Sequence, residues 1–213
     1  RTVKDLAESF GVPHSEIAMI LVNSEAVDFD CIIHDGDFVS FYPEFKALDI
    51  SGVTKVNFYK PKVMKFILDV HLGKLAKYLR LLGFDAKYSN NFSDIELIDI
   101  SLAESRILLT RDLGLLKHSN IVNGYWLRSS YSVKQIKEVV DKFDLKSCFK
   151  FFSRCLECNG EIELTAKEGI ESELEARTRQ FFDEFYRCRG CGKIYWKGSH
   201  WEKMKSFVES LSQ

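Results

Sequence analysis

Four cysteines in two Cys-x-x-Cys pairs have the spacing that points most directly to a chemistry: Cys155 and Cys158 in RCLECNG, and Cys188 and Cys191 in RCRGCGK. Each pair forms a knuckle in which backbone amides after the first cysteine donate to its thiolate, and Gly160 and Gly192 permit the tight turns. Four thiolates aimed at one point close a tetrahedron around structural zinc. Redox Cys-x-x-Cys motifs come singly beside a strand and a helix, whereas here there are two pairs with 29 residues between them. Zinc would supply folding energy that so short a segment cannot draw from its own core. Cys31 and Cys148 read as ordinary buried thiols.

Carboxylates form the second group. Asp69 ends the apolar run Phe66, Ile67, Leu68, while Asp94 and Glu96 open a helical pattern after Ser93, and Asp112 follows ILLT in ILLTRD. Parallel strands would bring Asp69 and Asp112 to one sheet edge, and a helix following the intervening strand would start there with Asp94 and Glu96. Clustered acids must bind a cation or shift their pKa values. Oxygen-only ligands favour magnesium or manganese, the ions that bridge a scissile phosphate and an attacking water in metal-dependent nucleases. Local readings stand beside this one. Asp69 and Asp112 would each cap the helix that follows, Asp94 would be a first-turn acid, and Arg106 and Arg111 would pair with these acids or touch a phosphate.

The elements that must hold these groups alternate from Lys65 onward. Strands are predicted at 65–70, 85–88, 106–110 and 124–128, with helices after Gly73, over 94–105, around 113–118 and over 133–143. Such alternation implies an α/β domain with a parallel sheet. Before it, residues 2–11 read as a helix capped by Thr2 with Asp5 three residues on and stopped at Gly11. Strands follow at 17–22, 26–29 and 38–42. A last helix is expected over 202–211, and the acidic stretch 168–175 as a helical insertion or exposed loop between the knuckles. The domain reading is 1–45, a linker over 46–64 with one short strand at 55–58, an α/β domain over 65–147, and a zinc ribbon with its helix over 148–213.

Composition is ordinary for a globular chain, with 46% apolar and 29% charged residues. No apolar run approaches the roughly 18 residues of a membrane helix, and no signal-like start is present, so the expectation is a soluble cytoplasmic protein without membrane partners. The chain opens on Arg1 rather than Met, which points to a missing N-terminus. The net charge of −1 hides a division: residues 1–60 carry 5 basic and 10 acidic groups, 61–150 carry 15 and 10, and 151–213 carry 10 and 11. A polyanion would prefer the middle segment. Lys74, Lys77 and Arg80 share one helix face there, as phosphate contacts or a solvated surface. Around the second knuckle, Lys197, His200 and Trp201 belong to a mixture of cations and rings that either stacks single-stranded nucleic acid or covers the ribbon's small core.

Two resemblances sharpen these expectations. LDVHLGKLAKYLRLLGFDAKY, ILLTRDLGLL, FSRCLECNG and RCRGCGKIYWKGSHWEKM resemble the mut-seven C-terminal RNase domain family, a PIN-like nuclease fold joined to a zinc ribbon. A ubiquitin-like domain precedes it in many bacterial members, and the likeness runs from Thr2 to Met204. GVPHSEIAMILVN and HDGDFVSFYP resemble β-grasp modules related to sulfur carriers, without their first hairpin or their Gly-Gly tail, which leaves a docking role or plain scaffolding. The RNase resemblance implies a magnesium- or manganese-dependent ribonuclease acting on single-stranded or exposed RNA (tRNA, rRNA or the ribosome). Asp69, Asp94 and Asp112 match its acidic positions, with Glu96 beside one of them. Lys74, Arg80, Arg111, Lys197, His200 and Trp201 are the expected RNA contacts. A fourth acid expected after Asp112 has no counterpart between Leu113 and Leu127, which keeps a noncatalytic RNA- or ribosome-binding platform as the alternative. A third reading gives the leading role to a protein partner of the ubiquitin-like module.

Overall fold

The computed structural model describes residues 1–57 and 63–212. The chain divides into two compact units, one of residues 1–71 with 89–128 and one of residues 72–88 with 129–213. These units cut across the sequence-order modules, and the reasons lie in particular side chains.

The first unit begins with α1, Val3–Ser9, in which Thr2 and Asp5 form a reciprocal capping box. Val3 and Ala7 are buried on its inner face. They pack with Ile17, Ile20 and Val56 beneath an antiparallel sheet of order β2-β1-β3. Its strands are β1, Met19–Val22, β2, Glu25–Val27, and β3, Val39–Tyr42. Asn23 and Ser24 both take positive φ in the two-residue β1–β2 turn, the geometry that matches strand twist in a tight hairpin. Residues 54–56 return to this module rather than forming a loose linker: Thr54 Oγ1 donates to the Ala18 carbonyl and Val56 is buried. No strand forms over 55–57, and Phe58 lies outside the described residues.

The same unit holds β4, Lys65–Leu68, β6, Ile107–Thr110, and β7, Gly124–Trp126; they are parallel, with β6 between the other two. Helices α3, Asp94–Ala103, and α4, Leu113–Leu116, contribute Leu97, Ile98, Leu115 and Leu116 to a core with Ile67 and Leu108. The outward side of β7 meets the turn His14–Glu16 of the first module. Glu16 Oε1 accepts from the Trp126 amide at 2.8 Å, and His14 Nε2 lies 2.9 Å from the Ile121 carbonyl. His14 Nδ1 faces Glu8 at 3.0 Å, so both ring nitrogens meet acceptors, while burial opposes the charge that would let both donate. A Cβ on Gly124 would stand 2.5 Å from Leu116 and 3.0 Å from Ser15 Oγ, so this close approach needs glycine.

The second unit combines α2, Gly73–Leu81, β5, Asp85–Tyr88, and α5, Ser132–Lys142, with the cysteine-bearing segment. Arg80 joins them. Only 3% exposed, its guanidinium donates to the carbonyls of Ala86, Leu156 and Glu157, the last two inside the first knuckle. Asn159 adds bonds to the Ala86 amide and the Asp85 carboxylate. The ribbon itself is antiparallel, order β10-β9-β8, from β8, Ile162–Thr165, β9, Phe185–Cys188, and β10, Ile194–Trp196. The acidic stretch forms two 3-10 turns before α6, Ala176–Phe181, and the last helix, α7, spans Ser199–Ser212. No helix among the described residues is long and apolar enough to cross a membrane.

Arg80→Met is expected to destabilise the protein by about 3 kcal/mol in urea unfolding, because three carbonyls lose a charged donor in a buried place. Arg80→Lys should not restore it, since a compact ammonium cannot span the acceptors that the planar fork reaches. Gly124→Ala is expected to cost about 1–3 kcal/mol by overpacking.

Candidate functional site

In the second unit the four cysteines gather as their spacing predicts. The ligand sulfurs of Cys155, Cys158, Cys188 and Cys191 all lie within 4.8 Å of one another, and all four are free thiols. Backbone amides turn inward on them: Cys158 donates to Cys155 Sγ and Gly160 to Cys158 Sγ in the first knuckle, Gly190 and Cys191 to Cys188 Sγ in the second. Gly192 takes a positive φ, whereas Gly160 serves by its size, since a Cβ there would stand 2.9 Å from Cys188 Sγ.

The Tyr195 hydroxyl lies 3.0 Å from Cys155 Sγ, placed to donate to its thiolate. Burial raises the Cys155 thiol, but the amides of Cys158 and Glu157 and the Tyr195 hydroxyl outweigh it and bring it down to about 6. Burial, with the neighbouring sulfurs behind it, pushes Cys158 up to about 12. Four sulfurs this close cannot all ionise without a cation among them, and soft thiolate donors in a closed tetrahedral set fit zinc. Cys31 is half-buried and Cys148 exposed, so the expectation that both are buried thiols does not hold.

In the first unit two acids meet one threonine. Leu68 pairs with Leu109 across β4 and β6, so the residues that follow, Asp69 and Thr110, stand side by side at the carboxyl end of the strands. Asp69 is 8% exposed, and its Oδ2 accepts from the Thr110 hydroxyl at 2.7 Å. The same hydroxyl oxygen accepts from the Asp112 amide at 2.9 Å. Asp112 is the exposed N-cap of α4, with Oδ1 accepting from Gly114 N at 2.6 Å. Among the described residues no hydrogen bond or ion pair engages the second oxygen of either carboxylate.

The wider acidic cluster does not gather. Among the described residues the cysteines form the one group of three or more His, Cys, Asp or Glu side chains with converging ligand atoms. Asp94 is the exposed first residue of α3. Glu96 is corrected to a capping residue: its carboxylate turns back onto the amide and hydroxyl of Ser93, both at 2.8 Å, and those bonds hold it below the usual carboxylate range.

The expected RNA contacts divide in the same way. Arg80 is corrected to a structural clamp, its donors occupied by carbonyls. Arg106 is buried and pairs with Glu104 at 2.6 Å. Lys74, Arg111 and His200 are exposed, with His200 in the first turn of α7. Lys197 pairs with Glu184 at 2.6 Å and lies over Trp201, whose ring packs against Phe151 and Phe152. That packing makes Trp201 part of the ribbon's aromatic core.

Sequence reasoning passed over Thr110, Trp126, Arg128 and Glu16. Thr110 sits inside ILLTRD, where a hydroxyl between two acids was a readable signal. Glu16 had none: it pairs with Arg128, 112 residues away in the chain, and is the carboxylate found at the end of β7, where Leu113–Leu127 supplies no acid.

A family model described as the Mut7-C RNAse domain matches residues 64–208, and one described as Mut7-C ubiquitin matches residues 1–49. Neither a curated protein nor a solved structure matches the chain.

The purified protein is expected to carry one zinc ion per chain by plasma mass spectrometry, and Cys188→Ser to lose it along with thermal stability. Tyr195→Phe should keep the ion but weaken its retention against a chelator by about 10–100-fold, the usual effect of removing a hydrogen bond to a ligand atom.

Proposed function

The chain belongs to the Mut7-C RNAse domain family, and on that premise we propose that it is a magnesium- or manganese-dependent ribonuclease that hydrolyses phosphodiester bonds of single-stranded or exposed RNA. The observation that carries this reading is the pair Asp69 and Asp112, joined through Thr110 at the carboxyl ends of adjacent parallel strands, the usual location of function in an α/β sheet. Their donor set fits a hard cation: two carboxylates, each with one oxygen held by the protein and the other open. When bound, such an ion supplies Lewis-acid polarisation of the phosphodiester. Thr110 fixes the rotamer of Asp69 by donating to its Oδ2. The Gly114 amide does the same for Asp112. Asp94, exposed at the start of α3, is the family-matched acid we assign to the same edge, with Arg111 as an exposed cation for the RNA backbone.

Cleavage of a single-stranded RNA with magnesium or manganese is the test. Wild type should cut, Asp69→Asn and Asp112→Asn should fall to background, and Thr110→Val should lose about 10–100-fold, as expected when support for a metal ligand is removed. Equal activity in all four proteins would identify a contaminant. Tight, salt-sensitive RNA binding without cleavage would establish a binding platform instead.

A further inference from the structure

Beside the acidic edge lies a cluster that the ribonuclease reading does not use. Trp126 is the register partner of Thr110 across β6 and β7, and its indole Nε1 donates to the Arg111 carbonyl at 3.2 Å. That bond ties the ring to the residue immediately before Asp112. The Arg128 guanidinium carbon lies 5.0 Å from the Trp126 ring centroid and 4.9 Å from that of Tyr125, within cation–π range of both. Arg128 also donates to the Trp126 carbonyl at 2.5 Å.

Glu16 of the ubiquitin-like module fixes the cation in this position. Its carboxylate meets Arg128 in a fork, at 2.5 and 3.2 Å, while Oε1 also takes the Trp126 amide. The two partners are unequally accessible. The Glu16 side chain is 11% exposed and that of Arg128 46%, so the acid stands behind and the planar guanidinium faces outward. An arginine neutralised in this way offers a flat face more than a free charge, and a flat cation on an indole suits a nucleobase better than a phosphate.

We propose that Trp126 and Arg128 form a stacking platform for a base of single-stranded RNA next to Asp112, with Glu16 as the positioning residue that holds it. The proposal rests on the ribonuclease reading for its choice of ligand. It makes the first module a contributor to substrate binding, in addition to any protein partner.

The test measures binding of a fluorescein-labelled single-stranded RNA to the full, zinc-loaded chain by anisotropy, with magnesium and manganese omitted so that no cleavage dependent on them enters. Trp126→Ala and Arg128→Ala are each expected to weaken binding by about tenfold, within the range for loss of one stacked base. Their loss should depend little on salt. Glu16→Ala should weaken binding and Glu16→Asp should retain most of it. The reciprocal exchange Glu16→Arg with Arg128→Glu restores the ion pair, so thermal stability should recover while RNA affinity does not. Recovery of affinity in the exchange, or tighter binding by Glu16→Ala, would overturn the platform, the second by showing that Glu16 masks Arg128. Wild-type affinity in Trp126→Ala would also overturn it. A chain that binds through the platform and never cleaves would refute the ribonuclease reading alone.

Discussion

One buried hydroxyl organises the acidic edge. Thr110 donates to Asp69 and accepts from the backbone of Asp112, so the end of β4 and the turn after β6 are set by a single side chain with no exposed surface. The arrangement depends on the parallel register of Leu68 with Leu109; a slip of one residue would turn every side chain of the strand to the opposite face. The apolar strands therefore do more than fill the core, since their alignment decides which two carboxylates become neighbours.

The same economy governs the cations. Arg80 lies on a helix face that also carries exposed lysines, yet it is enclosed by carbonyls of the first knuckle, and Lys77 beside it pairs with Glu157 of that knuckle. The thiolate cluster thus has positive charge close to it on the protein side. Glu157, between the two cysteines of its pair, is held below its ordinary range chiefly by its bond to Lys77. Charge that resembles an RNA-binding surface when read along the helix serves, in three dimensions, to seat the ribbon.

How much of this was legible depended on the range of the interaction. Helix and strand periodicity located α1, β4, β5, α3 and β6 within a few residues of their observed bounds, because those patterns are local. The two cysteine pairs were readable for the same reason: ligand spacing within a knuckle is fixed by a turn. The pairing of Asp69 with Asp112 followed from topology, the one long-range rule that alternation supplies. Glu96 was misread because an acid three residues after a serine is also half of a capping box, and the local bond prevails over a distant cation. Arg80 and Glu16 were hidden more deeply. Their partners are 76 and 112 residues away, and nothing in composition distinguishes a guanidinium bound for carbonyls from one bound for phosphate.

Parallel sheets end in a strand whose outward amides and carbonyls are available to any extended peptide, including another copy of the same chain. In this protein both outward groups of Trp126 are already occupied, the amide by Glu16 and the carbonyl by Arg128. Glu16 of the ubiquitin-like module thus covers an amide that an added strand would otherwise use. A shortened chain beginning at Lys65 would lose that cover along with its first 64 residues.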